Sequence, residues 1–257
     1  MEYIIIPVSA LIASFLAFFS GFGLGTILLP VFAVFFPIDA AVALTAIVHL
    51  LNNVFRFALV ARHVNKSVII RFGLITIAAS FLGAYILTNL ADLKALAEYQ
   101  LFGRNFEITP IKLTVAIMIF FFALWEGLPR LQGISFDRKY LPLGGLLSGF
   151  FGGLSGHQGA LRSAFLVKTG LEKESYIATN TLIAVMTDIP RITVYAIGST
   201  LTGAGENVTL LILATTAGFL GALLGNFWLK KITMRVIQII VSIMLIAIAV
   251  ALGSGLI

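Results

Sequence analysis

Apolar stretches long enough to cross a bilayer recur along this chain, separated by short polar breaks. No other feature constrains the fold as much. The runs are 4–19, 24–36, 40–61, 68–90 and 111–125. After a polar gap at 126–140 come 141–154, 159–167, 175–197, 209–229 and 232–252. Crossing a bilayer core takes about 20 apolar residues, and several runs reach that length. Composition agrees: of 257 residues, 60% are hydrophobic and 11% charged, with a mean hydropathy of +1.06. A soluble domain of that make-up would have too few polar residues to cover its surface. The expected fold class is all-α integral membrane.

The runs form two sets with one order: two short runs joined by a glycine-rich break, then three longer ones. The sets align without gaps at an offset of about 135 residues. Ser20-Gly21 falls on Ser155-Gly156, Asn53 on Asp188, and Arg56 on Arg191. The expected organisation is a first membrane repeat at 1–125, a cytoplasmic connecting loop at 126–140 and a second membrane repeat at 141–257. Together they make one transport domain.

Charge fixes the orientation. The formal charge of +6 sits in short loops: 62–66, the central gap with Arg130, Arg138 and Lys139, and Lys230-Lys231 with Arg235 beyond. The loop 198–207 carries no Lys or Arg. Basic loops lie in the cytoplasm, so these charges orient the chain and do not imply nucleic acid. If each short pair were one broken crossing, the loop at Lys230-Lys231 would fall outside while the central gap lay inside. If each pair enters and returns on the same face, all three basic loops are cytoplasmic and 198–207 is external. Each half is then a short helical hairpin plus three transmembrane helices. Three is odd, so the halves are inverted-topology repeats, and both termini lie outside the cytoplasm. The first segment has no basic n-region or clear cleavage site and reads as retained.

The hairpin tips carry Ser20-Gly21-Phe22-Gly23 and Ser155-Gly156-His157-Gln158-Gly159. Irregular backbone at membrane depth is tolerated inside protein or beside a water-filled cavity. Inverted-repeat transporters place such breaks at the substrate site near the midplane, and helix starts suit anions. The bland alternative is that the glycines only permit close helix packing. After each tip, one helical face gathers polar residues: Thr45, His49, Asn52, Asn53 and Arg56, then Asn180, Ala184, Thr187, Asp188 and Arg191. Intramembrane charges usually face a bundle interior, although each Arg could instead snorkel toward a membrane face. Asp188 and Arg191 have the i,i+3 spacing of a pair, whereas Arg56 has Asn53 at that spacing.

The glycine-rich stretch SGFGLGTILLP, Ser20 to Pro30, resembles the signature of the sulfite exporter TauE/SafE family of bacterial anion permeases. The spaced glycines from Gly144 to Gly156 resemble its recurrence in the second half. The second copy departs from the pattern at His157-Gln158-Gly159 and Ala164-Phe165. The resemblance implies a permease for sulfite, sulfoacetate and related organosulfur acids.

The expectation is a secondary transporter, an exporter of small sulfur-containing anions, in the bacterial inner membrane. Its site is expected at Ser20, Gly21, Gly23, Asn53, Arg56, Ser155, Gly156, His157, Gln158, Gly159 and Arg191. His49, Asn52, Arg162, Thr187 and Asp188 would support it or couple it to protons. An anion channel of the same fold is one alternative; a divalent-metal permease built on His49, His157 and Asp188 is another. Three histidines and no cysteine make a transition-metal site weak. No cofactor is expected, and without hydrolase or nucleotide motifs an enzyme is disfavoured. Glu126 reads as a boundary charge. The Phe-rich faces suit membrane lipid or a second protomer of a homo-oligomer.

Overall fold

The computed structural model describes residues 1–17, 23–101, 103–198, 205–227 and 234–257. The first half contains α1 (Glu2–Ala17), α2 (Leu24–Phe35), α3 (Ile38–Val60), α4 (Lys66–Val68), α5 (Leu74–Ala91) and α6 (Pro110–Gly127). A turn of π-helix, Ile69–Gly73, joins α4 to α5, making one continuous span from Lys66 to Ala91. A short α7 (Pro129–Gln132) lies in the connecting segment. The second half contains α8 (Leu141–Ser155), α9 (Gly159–Leu166), α10 (Lys173–Ile197), α11 (Val208–Phe227) and α12 (Met234–Gly253). The short, short, long, long, long order read from the sequence is present in both halves.

Local chemistry sets several boundaries. The Asn65 side chain accepts from Val68 N at 3.1 Å to start α4. Thr109 accepts from Lys112 N at 3.3 Å, with Pro110 in the first turn of α6. Each satisfies a helix-start amide that has no intrahelical partner. Pro30 and Pro190 lie inside α2 and α10.

Among the described residues, four helical spans are long and apolar enough to cross a membrane: Ile38–His63, Lys66–Ala91, Pro110–Gly127 and Val208–Gly225. The helix α10 has the length but is more polar, because it buries Thr179, Thr181, Thr187, Asp188 and Arg191 against its neighbours. One element departs from the all-α expectation. An antiparallel hairpin, β1 (Ala97–Leu101) and β2 (Arg104–Ile108), joins α5 to α6. Its turn passes through Gly103 at φ +75°, and Tyr99 stacks on Phe106 across it at 5.5 Å. Short half-polar strands in a linker carry little periodicity to read.

Helices pack in matched pairs. α5 lies on α8 and α11 on α1; α3 lies on α10 and α6 on α12. On α8, Gly145, Gly149 and Gly153 form a stripe facing Phe72, Thr76 and Ser80. Both series ascend together, so α5 and α8 run parallel with backbones in contact. The α3/α10 pair is antiparallel: Asn65, just beyond α3, bonds Thr179 near the start of α10, while His49 meets Asp188. The α6/α12 pair is antiparallel too: Gly127 abuts Ser242, and Gly253 abuts Ala116.

Connecting segments gather at two ends. At one, Arg138 Nη2 donates to Ser67 Oγ at 3.2 Å, Lys168 pairs with Asp137 at 3.6 Å, and Phe136 N donates to Ala164 O at 2.9 Å. At the other, Tyr99 Oη donates to Ser254 O at 2.6 Å. The basic segment 62–66 and the connecting segment thus share an end. Lys230-Lys231 lies outside the described residues.

The stripe on α8 gives a stability prediction. A Cβ at Gly153 would overlap the backbone of Ser80, whereas one at Gly133 meets nothing closer than 3.8 Å. Gly153→Ala should destabilise the protein by about 1–3 kcal/mol and lower its thermal midpoint in detergent. Gly133→Ala should leave the midpoint unchanged.

Candidate functional site

The second break is built by glycine chemistry. Gly156 ends α8 at φ +82°, and its N–H closes onto Gly152 O at 2.9 Å. That left-handed conformation carries little cost only for glycine. Gln158 N then donates to Gly156 O at 3.0 Å, α9 starts at Gly159, and Arg162 N donates to Gln158 O at 2.9 Å. The Gly156 amide therefore serves the helix end. The amides ahead of Arg162 in the first turn of α9 precede the first intrahelical bond.

The start of α2 approaches the second break. A Cβ at Gly25, in the first turn of α2, would lie 3.7 Å from Gly156 O and 3.6 Å from His49 Cδ2. Gly23 stands just before α2, and Gly23 O accepts from Thr26 N at 3.0 Å. Ser20 and Gly21 lie outside the described residues.

Beside this meeting point sits a buried ionic cluster. Asp188 is fully buried, and its Oδ2 lies 2.6 Å from His49 Nδ1. Its Oδ1 lies 2.7 Å from Arg191 Nη2, the pairing that the i,i+3 spacing allows. Arg191 Nη1 also donates to Gly152 O at 3.4 Å. A Cβ at Gly156 would come within 2.6 Å of Arg191 Nη1, so glycine here also makes room for the guanidinium. Tyr195, one turn beyond Arg191 on α10, is buried and donates through its hydroxyl to Gly153 O. Asn53 Nδ2 donates to His49 O at 2.9 Å and lies within 3.2 Å of the imidazole nitrogens.

A second group surrounds Arg162, which is 6% exposed. Its Nε donates to Asn180 Oδ1 at 2.6 Å, and its Nη1 donates to Gln158 Oε1 at 2.7 Å. Both partners are neutral amides. Arg56, half-buried on α3, lies within the electrostatic reach of Arg162. His157 stacks on Phe122 with centroids 5.6 Å apart and planes 9° apart, and its Nδ1 lies 3.1 Å from Ser155 Oγ. His157 Nε2 and Gln158 Nε2 are buried with no hydrogen-bond partner among the described residues. Buried polar atoms rarely stay unpaired, so these two nitrogens mark polar capacity that the described residues leave unused.

Not every expected residue joins this centre. Asn52 faces α1 and α11: Ser14 Oγ donates to its Oδ1 at 3.4 Å, and a Cβ at Gly218 would lie 2.7 Å from its Nδ2. Thr187 bonds back to Ile183 O at 3.0 Å, and its own carbonyl accepts from Ser80 Oγ at 2.7 Å. Both are packing groups here. Sequence reasoning passed over Gly25 and Tyr195, although Gly25 lies within the quoted glycine motif and Tyr195 stands four residues after Arg191. Glu126, read as a boundary charge, is 5% exposed: the end of α6 is covered by neighbouring elements. Among the described residues, no three His, Asp or Glu side chains converge as a metal-binding set.

The fold defines a class: a helical multi-pass membrane protein, with buried charged groups beside the glycine-rich break between α8 and α9. The model of the family described as Sulfite exporter TauE/SafE matches residues 6–252, nearly the whole chain, and the chain belongs to that family. The family is one of membrane transporters for sulfite and related sulfur anions. Among curated proteins and among solved structures, none matches the chain significantly.

Proposed function

We propose that the protein is a secondary transporter that exports a small oxidised sulfur anion across the bacterial inner membrane by alternating access. The observation that carries this reading is the charge balance at the centre. Arg162 and Arg191 lie in a cluster whose carboxylate, among the described residues, is Asp188. Asp188 offsets Arg191. Arg162 keeps its charge against two amides. Buried positive charge held by neutral partners favours an anion strongly.

In this reading the anion lies between the two breaks. The Arg162 fork binds two of its oxygens, and Gln158 Nε2 and the first amides of α9 donate to the others, with His157 beside them. Gly23, Gly156 and Gly159 allow close approach, with Ser155 beside them. Asn53 bonds His49, His49 holds Asp188, and Asp188 in turn orients Arg191.

The halves act as inverted repeats. Antiparallel packing of α3 on α10 and of α6 on α12 supports this, since each is a helix meeting its own counterpart. Rocking of one half against the other opens the centre to each face in turn. The gathering of the basic segments at one end supports a cytoplasmic placement of that end, with both termini outside.

Counterflow in proteoliposomes tests the reading. Labelled sulfite, thiosulfate or sulfoacetate should enter several-fold faster when the same unlabelled anion is inside. A channel gives flux without this acceleration, and that result would remove alternating access. Absence of flux for every sulfur anion would remove the transport reading itself.

A further inference from the structure

Trp125-Glu126-Gly127 closes α6, and among the described residues the Glu126 carboxyl stands apart from other charges. Its Oε2 has no hydrogen-bond partner, and no cation pairs with the carboxylate, among the described residues. The Gln132 side-chain amide donates to the backbone oxygen of Glu126, leaving the carboxyl untouched. Glu126 lines a cavity of about 410 Å³ at the end holding the connecting segment. Gln132 and Ser135 of that segment, Ser163 of α9, Tyr176 of α10 and Gln238 of α12 share the lining. Tyr176 is the other titratable group there, and no Lys, Arg, His or Asp joins them among the described residues.

The α6/α12 seam supplies an internal comparison. Gly127 abuts Ser242 of α12, and Gly253 abuts Ala116 of α6. The residues just before these glycines, Glu126 and Leu252, therefore occupy matched places. Leu252 is 1% exposed and lines a separate cavity at the opposite end. A leucine satisfies the packing at this position, so packing does not explain an acid.

We propose that Glu126 is a proton-binding site that couples proton movement to the anion transport proposed above, on which this inference rests. Removing a lone carboxylate from water is costly, whereas a neutral carboxylic acid is far easier to bury. Closing the cavity holds Glu126 as the acid; hydrating the cavity releases its proton. The carboxyl gives up and regains one proton per cycle, and that proton travels opposite to the anion, so that an inward proton gradient drives the export.

Two measurements test this on the full-length protein. Infrared difference spectra between acidic and alkaline buffer should contain the C=O stretch of a buried protonated carboxyl, missing in Glu126→Gln. In proteoliposomes clamped at zero voltage, whichever of labelled sulfite, thiosulfate or sulfoacetate shows counterflow should accumulate up to about tenfold per unit of pH gradient, the equilibrium ratio for one proton per anion. The Glu126→Gln variant should equilibrate without accumulation, and Glu126→Asp should restore part of it. An accumulation ratio is an equilibrium quantity, so a slower variant still reports it. Accumulation persisting in Glu126→Gln, or absent in the wild type despite counterflow, overturns the proposal, as does an infrared band unchanged by the substitution. If the wild type moves no anion, the transport reading fails, and the infrared band alone decides whether Glu126 binds a proton.

Discussion

Arg162→Gln should weaken binding of the transported anion by more than about thirtyfold, corresponding to a loss of about 2–5 kcal/mol for truncating a buried charged partner. The argument rests on what surrounds the guanidinium. Asn180 and Gln158 hold it by single hydrogen bonds through Nε and Nη1, and no carboxylate pairs with it among the described residues. Arg191 differs, because Asp188 already offsets it at 2.7 Å. The Arg162 variant should therefore lose more affinity than any change at Asn53 or Thr187, whose side-chain bonds stay within their own helices. Arg162→Lys keeps the charge but not the planar fork, so it should recover only part of the loss. Calorimetric titration of the purified variants checks both statements.

Asp188→Ala should produce the largest loss of stability in the molecule, about 3–5 kcal/mol, because it leaves buried cationic groups without their counter-ion. Asp188 holds two partners from different helices, His49 on α3 and Arg191 on its own α10. Its removal loosens the α3/α10 seam and strands Arg191 at 1% exposure. The double variant Asp188→Ala/Arg191→Ala should be less destabilised than the sum of the single changes by about 0.5–3 kcal/mol, the signature of a direct pair. Unfolding followed in detergent with increasing denaturant measures the coupling. Strict additivity would mean that the two groups act independently.

Much of this architecture was legible because membrane burial leaves a strong pattern. Run length located the helices within a few residues, as with the expected run 24–36 against Leu24–Phe35. Helical spacing placed His49 and Asn53 on one face of α3, and Asp188 and Arg191 on one face of α10; that these two faces meet is seen only in the structure. The parts that escaped depend on contacts between distant segments. No local signal separates Arg162, held by amides, from Arg191, held by a carboxylate on its own helix. Asn52 shares a helical face with His49 by spacing, yet Ser14 and Gly218 draw it toward α1 and α11. Glu126 follows a Trp at the edge of an apolar run, where charges are ordinarily solvated. Only the packed ends of neighbouring elements bury it. The β-hairpin at Ala97–Ile108 is too short and too polar to announce itself by periodicity.

The most direct measurement is equilibrium binding of sulfite, thiosulfate, sulfate, sulfoacetate and chloride to the purified wild type and to Arg162→Gln. The account predicts that at least one sulfur anion binds the wild type, that chloride does not compete at equal concentration, and that binding is lost in the variant. Equal binding of that anion to both proteins would contradict the placement of the site between the two glycine breaks.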